Sequence, residues 1–247
     1  MADRRQAVWG RVAAHAAARS ARVAVEDVCA VAGEADQVTG AWIAASVTGQ
    51  PDLVMCVTDL VCEQLAELHL TLGEGPCTDV LASAAPVLAS DLGDAEFAGR
   101  WPAFAPAARE LGAEAVFGFP LMIGVIRAGV MGLYRGSAGS IHDAQLGDLL
   151  ILADIASLIL LDAAGSASRP GDGTSLDGQA PDLALHRAQI DQATGMLTVQ
   201  LAMPAAEAFA RLRAYAYAEE RRLADVAADI VARRLRLHPD LPQDGAL

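Results

Sequence analysis

Two sets of side chains in this sequence are of types that do chemistry: four cysteines within the first 77 residues and a group of arginines toward the C-terminus. Thiol catalysis needs an exposed thiolate of lowered pKa with a resolving cysteine beside it. Cys29, Cys56, Cys62 and Cys77 contain no CxxC pair, and no histidine stands at a metal-ligand spacing from them. Cys56, Cys62 and Cys77 would have to converge in three dimensions to react, and nothing in their spacing requires it. The plainer expectation is four reduced, mostly buried thiols in a cytoplasmic protein. His69 and His142 stand alone, and no glycine-rich phosphate loop or nucleophile elbow occurs. No catalytic residue, metal or cofactor is therefore expected.

The arginines carry a different chemistry. The chain has no lysine, so every fixed cation is a guanidinium, and the net charge of −13 argues at first against a polyanionic partner. The charge is uneven, however. Residues 1–181 hold 10 Arg against 22 Asp and Glu, whereas residues 182–238 hold 8 Arg against 7. The acidity sits in the first part, and the C-terminal part is close to neutral. Exposed arginines there could contact RNA backbone and loop bases, or they could simply solvate helix faces and pair with Glu207, Asp225 or Asp229.

Three amphipathic stretches must position them. Leu183, Ile190, Ala193 and Leu197 share one face of a first helix, with Arg187, Asp191 and Thr194 toward the other. A second helix begins near Pro204 and packs through Phe209, Leu212 and Ala216. A third packs through Leu223, Val226, Ala227 and Ile230. The strings Arg187-x-x-Ile190-x-Gln192-Ala193-x-Gly195, Glu207-Ala208-Phe209-x-x-Leu212-Arg213 and Leu223-x-x-Val226-Ala227-x-x-Ile230-Val231 resemble the ANTAR domain, an RNA-binding module of bacterial transcription antiterminators. The resemblance implies a homodimer that binds short hairpins in leader RNA, with Arg187, Gln192, Thr194, Arg211, Arg213 and Tyr217 as the contacts. Thr194 stands where the family often has a basic residue, and Leu201-Ala-Met-Pro204 lacks the usual Ser or Thr cap. One phosphate contact fewer would weaken binding and flatten its salt dependence.

The first part reads as alternating helices and hairpins. Residues 4–32 have a helical pattern. Strands are expected at 40–47 and 52–58 across a turn at 48–51, and Asp59 is placed to cap a helix running to about His69. A Gly/Pro break at 73–76 precedes a short helix at 77–84 and a short strand at 86–90. Residues 102–111 are helical up to Gly112, strands follow at 115–123 and 125–134 with a tight turn between them, and a long apolar helix covers 141–162. Hairpins in place of βαβ units predict an α+β domain, an antiparallel sheet flanked by helices. Residues 163–181, rich in Gly, Ser, Asp and Pro, are expected to form a flexible linker to an all-α domain at 182–238, with a tail at 239–247.

Leu72-Gly-Glu-Gly-Pro-Cys77, Pro86-Val87, Asp91-Leu92, Arg100-Trp-Pro102, Pro120-Leu121 and Gly132-Leu-Tyr134 together resemble a GAF domain. That resemblance implies a sensory module over residues 1–162, with a small-molecule pocket between the sheet and its covering loops. Glu74, Cys77, Arg100 and Trp101 are the candidate ligand contacts. Each has a structural alternative: Glu74 as a helix cap, Arg100 and Trp101 as packing anchors, Cys77 as a buried thiol. The expected protein is a cytoplasmic regulator that binds RNA but neither DNA nor membrane. The rivals are a protein-interaction adaptor and a cysteine-dependent sulfoxide reductase of GAF fold.

Overall fold

The structure is a computed structural model and describes residues 2–46, 53–167, 181–219 and 221–238, with the side chains of 2, 164–167 and 181–187 outside the described set. It divides into two compact units, Met1–Ala180 and Pro181–Leu247.

In the first unit the pattern expected as one N-terminal helix is two, α1 (Ala2–Ala18) and α2 (Val25–Gly33). Ser20 adopts φ +55° and the Ala21 N–H returns to the Ala16 carbonyl, which ends α1. Asp27 then accepts from the Ala24 N–H at 2.9 Å and takes both arms of Arg19 at 2.9 and 2.8 Å, fixing the corner between the helices. Periodicity could not reveal this break, because both helices bury valines: Val8 and Val12 on one, Val25, Val28 and Val31 on the other.

Strands β1 (Gly40–Ala45) and β2 (Leu53–Val57) pair antiparallel, and the turn expected at 48–51 lies outside the described residues. Asp59 caps α3 (Leu60–Leu72) by accepting from the Cys62 N–H at 2.8 Å, and Gly73 ends it at φ +69°. Helix α4 (Pro76–Ser83), β3 (Val87–Ala89), α5 (Ala95–Arg100) and α6 (Phe104–Glu110) follow. The short α5, capped by Asp94, is an addition to the expected elements. Strands β4 (Ala115–Ile123) and β5 (Ile126–Arg135) turn at Gly124, and α7 (Asp143–Ala167) closes the unit. Helical backbone thus covers 163–167 of the segment read as linker and resumes at Pro181, while 168–180 lie outside the described residues.

The sheet has the order β2-β1-β5-β4-β3, antiparallel throughout. Alternation along each strand sorts its side chains to two cores. Ala41, Ile43, Phe117, Phe119, Met131 and Leu133 face α1, α2 and α7. Trp42, Ala44, Val116, Val130 and Tyr134 face α3, α4 and α6. The Trp42 indole lies flat on β5 because Gly132, its register partner, has no side chain; a Cβ there would overlap the ring. Helix α7 contains one stretch, Asp143–Ala163, with a mean hydropathy of 1.9, long and apolar enough to cross a membrane by composition. Its Leu149, Leu152, Ala153, Ile155 and Ala156 fill the first core, while Asp148 and Asp154 pair with Arg4 and Arg5 of α1.

The second unit consists of α8 (Pro181–Leu201), α9 (Ala205–Ala218) and α10 (Leu223–Val231). Ile190, Ala193, Leu197, Leu212, Ala216, Leu223, Val226, Ala227 and Ile230 are buried where α8 packs on α9 and α10, as the periodicity predicts, and the Leu183 side chain lies outside the described residues. Phe209 is the exception: it is half-buried, and Ala208 takes the core position. Pro204 starts α9 without a side-chain cap bond.

Candidate functional site

The candidate ligand contacts of the first unit are engaged with protein groups. Glu74 accepts the Ala103 and Phe104 N–H groups, both at 2.7 Å, so its carboxylate closes the start of α6, not of the neighbouring α4. Arg100 donates to Asp79 at 2.7 Å, and the Trp101 indole N–H donates to the same carboxylate oxygen at 3.1 Å. Trp101 is 1% exposed, stacked on Phe97 at 5.5 Å and edge-on to Phe104 at 6.3 Å. Asp79 is thus the residue that organises this corner, and one turn of α4 puts it opposite the Arg-Trp pair. His69, between Trp42 and Phe104, is wholly buried; Leu65's carbonyl holds Nδ1 at 2.7 Å, and burial pushes its pKa down to about 4.

The cysteines do not converge as a trio. Cys56 sits with Cys29 in the core under α2, whereas Cys62 and Cys77 lie in the core on the other face of the sheet. All four are buried. Burial pushes the Cys62 thiol up to about 12 and raises Cys56 and Cys77 well above the ordinary thiol value. Desolvation keeps these groups protonated at neutral pH, the reverse of what a nucleophilic thiol needs. Among the described residues, no group of His, Cys, Asp and Glu is arranged to hold a metal.

The second unit presents its polar residues differently. The Arg187 side chain lies outside the described residues. Gln192 is exposed; Thr194 is half-buried and donates to the Ile190 carbonyl at 2.8 Å, a bond internal to α8. Arg211 donates to the His238 carbonyl at 2.8 Å, and the Arg213 guanidinium lies 5.7 Å over the Phe209 ring, half-buried with a pKa lowered by desolvation. Tyr217 is exposed on α9. Of the six expected contacts, Gln192 lines a groove of about 750 Å³ between α8 and the chain that follows α10. Gly195, Met196, Val199 and Gln200 share its α8 wall, and Arg233 and Arg236 stand opposite. Those two arginines were not singled out by motif. The density of cations in Arg233-Arg-Leu-Arg236, directly after the third helix, was the available signal.

The second unit is a three-helix module with an open groove that bears two arginines. Residues 183–231 match the family model described as the ANTAR domain, about a fifth of the chain, so the C-terminal unit carries an ANTAR domain. No curated protein matches the chain. Among solved structures, the GAF domain from an Acinetobacter phosphoenolpyruvate-protein phosphotransferase is similar at 16% identity and a TM-score of 0.48, over 68% of this chain and 96% of that one. The GAF domain of the Coxiella burnetii phosphoenolpyruvate-protein phosphotransferase is similar at 17% identity and a TM-score of 0.47, over 67% of this chain and 99% of that one.

Proposed function

We propose that the chain is a cytoplasmic RNA-binding regulator of transcription antitermination. In this reading the ANTAR domain binds hairpins in leader RNA as a homodimer, and the N-terminal unit is a GAF-type sensor whose state sets the availability of that domain. The residues between the units form the linker that couples them. The match of 183–231 to the ANTAR model carries the reading. The helix-flanked antiparallel sheet and the glycine-proline, Arg-Trp-Pro and Gly-Leu-Tyr motifs support a GAF-type sensor in front of it.

Crosslinking in the native cell, followed by sequencing of RNA recovered with the full-length protein, tests the function. Leader sequences with paired short hairpins ahead of terminators are expected; recovery of no RNA above an uncrosslinked control would favour a protein-interaction adaptor. Replacing Arg187 and Arg213 together by Ala tests the contacts. Affinity for a recovered hairpin is expected to fall at least about tenfold with helicity unchanged, and unaltered affinity would remove that assignment. The chain is read as a non-enzyme, so all four thiols are expected to resist a thiol reagent at neutral pH until the protein unfolds. A cysteine labelled rapidly in the folded protein would reopen the reductase reading.

A further inference from the structure

The chain does not simply leave the third helix of the ANTAR unit. Arg233 adopts φ +60°, in the left-handed region that a residue with a Cβ enters at a cost, and the Arg234 and Leu235 N–H groups return to the Asp229 carbonyl at 2.8 and 3.2 Å. The turn sends residues 234–238 along the module, where three contacts hold them. Leu237 is buried, Gln200 Nε2 donates to the Leu237 carbonyl, and Arg211 donates to the His238 carbonyl. Two helices thus commit side-chain donors to fixing a segment with no secondary structure of its own, and that segment forms one wall of the groove.

The charges along it are sorted. Arg221 and Arg234 share the Asp229 carboxylate at 2.6 and 2.7 Å. Arg233 and Arg236 are exposed without a carboxylate partner among the described residues, and no acidic side chain lines the groove. Facing them, Val199 is 85% exposed and Gly195 has open space where a side chain would be. Guanidiniums without a partner suit phosphate oxygens, which they bind through two N–H groups at once. An exposed valine and a glycine beside an amide suit the face of an unstacked base.

We infer that this groove holds a looped-out stretch of single-stranded RNA. Arg233 and Arg236 take backbone phosphates, and one unstacked base rests over Gly195 and Val199 beside the Gln192 amide. The inference rests on the RNA-binding reading and adds to it two cations beyond the matched segment 183–231.

The test uses full-length protein and a pool of hairpin RNAs with randomised loops, enriched on the wild-type chain and then measured over a series of salt concentrations. R233G/R236A is expected to lose affinity at least about tenfold and to flatten the slope of log K against log salt by about 1.5. Its Tm should stay the same or rise, since glycine favours the backbone angle at 233. R221A/R234A removes the same formal charge from two positions that do not line the groove. It should keep affinity within about threefold, because the shared Asp229 carboxylate already offsets one of the two cations and salt screens the rest. V199E places a carboxylate on an exposed surface and should lower affinity like R233G/R236A without changing Tm. Unchanged affinity in R233G/R236A would overturn the inference, as would equal losses in the two double variants. So would a change of oligomeric state in the groove variants without loss of RNA, which would make the groove an interface between copies. These outcomes leave the RNA-binding reading in place. Failure of the wild-type chain to enrich any hairpin would overturn both.

Discussion

The two units place their arginines differently. Arg22 and Arg127 of the N-terminal unit are exposed without a carboxylate partner among the described residues but lie apart, one between α1 and α2 and the other on β5, whereas Arg233 and Arg236 of the ANTAR unit line one groove. In the N-terminal unit Arg4, Arg5, Arg19, Arg100 and Arg109 each meet a carboxylate within 3.1 Å, and Arg135 is buried among the Gly139 and Ser140 carbonyls and the Gln145 amide. In the ANTAR unit Asp229 pairs with both Arg221 and Arg234, while Arg233 and Arg236 have no carboxylate partner among the described residues. Net charge would have assigned neither pattern. A polyanion is favoured where cations without an internal partner share one surface, and the total of −13 does not show where that is.

The contrast is sharpest where polar groups in the first unit serve packing alone. Trp101→Ala removes the indole from Phe97, Phe104 and Asp79 at once, and should cost about 3–5 kcal/mol in denaturant unfolding of the N-terminal unit. RNA affinity of the protein that remains folded should be untouched; a parallel loss would tie the Arg-Trp corner to recognition. His69 tests the same idea through pH. Its native pKa is about 4, against about 6.5 when unfolded, so between those values the unfolded chain holds a proton that the native chain refuses. Stability should therefore be complete above about pH 6.5 and fall by about 3 kcal/mol in all as pH drops to about 4. His69→Phe should abolish that slope, and a persistent slope would place its origin elsewhere.

Smaller effects probe the helix ends. Glu74→Gln weakens the acceptor for two N–H groups at the start of α6 and should cost about 1 kcal/mol, read as a lower denaturant midpoint. No change would mean that solvent satisfies those donors equally well. Arg233→Gly should stabilise the ANTAR unit by about 0.5–1 kcal/mol, because it relieves a Cβ at φ +60°. Destabilisation instead would show that the Arg233 side chain packs, and would weaken the contrast between the units.

Much of this architecture was legible from residue spacing. Hairpin strands separated by short turns give the antiparallel sheet, Asp59 and Gly73 mark the ends of α3, and the apolar faces of the tail assemble as periodicity dictates except at Phe209, where Ala208 takes the core position. The break at 19–24 was not legible, because it depends on Arg19 reaching Asp27 across a corner. Site readings fared differently for a related reason. Glu74 looked local to α4 yet binds α6, since a carboxylate's partner is fixed by tertiary approach and not by sequence neighbours. Cys56 and Cys62 are six positions apart but face opposite cores, because one lies on a strand and the other on the following helix. The groove beside α8 needed the fold, since Arg233 and Arg236 join it only through a left-handed turn.

The flat seating of Trp42 on Gly132 also bears on how this chain can diverge. The two positions divide one fixed volume, so β5 cannot acquire even a methyl at 132 while an indole occupies 42. Drift at either site is possible only as an exchange, a smaller residue on β1 answered by a larger one on β5. Among relatives that share this sheet, positions 42 and 132 should therefore vary as a pair, a signature readable from sequences alone.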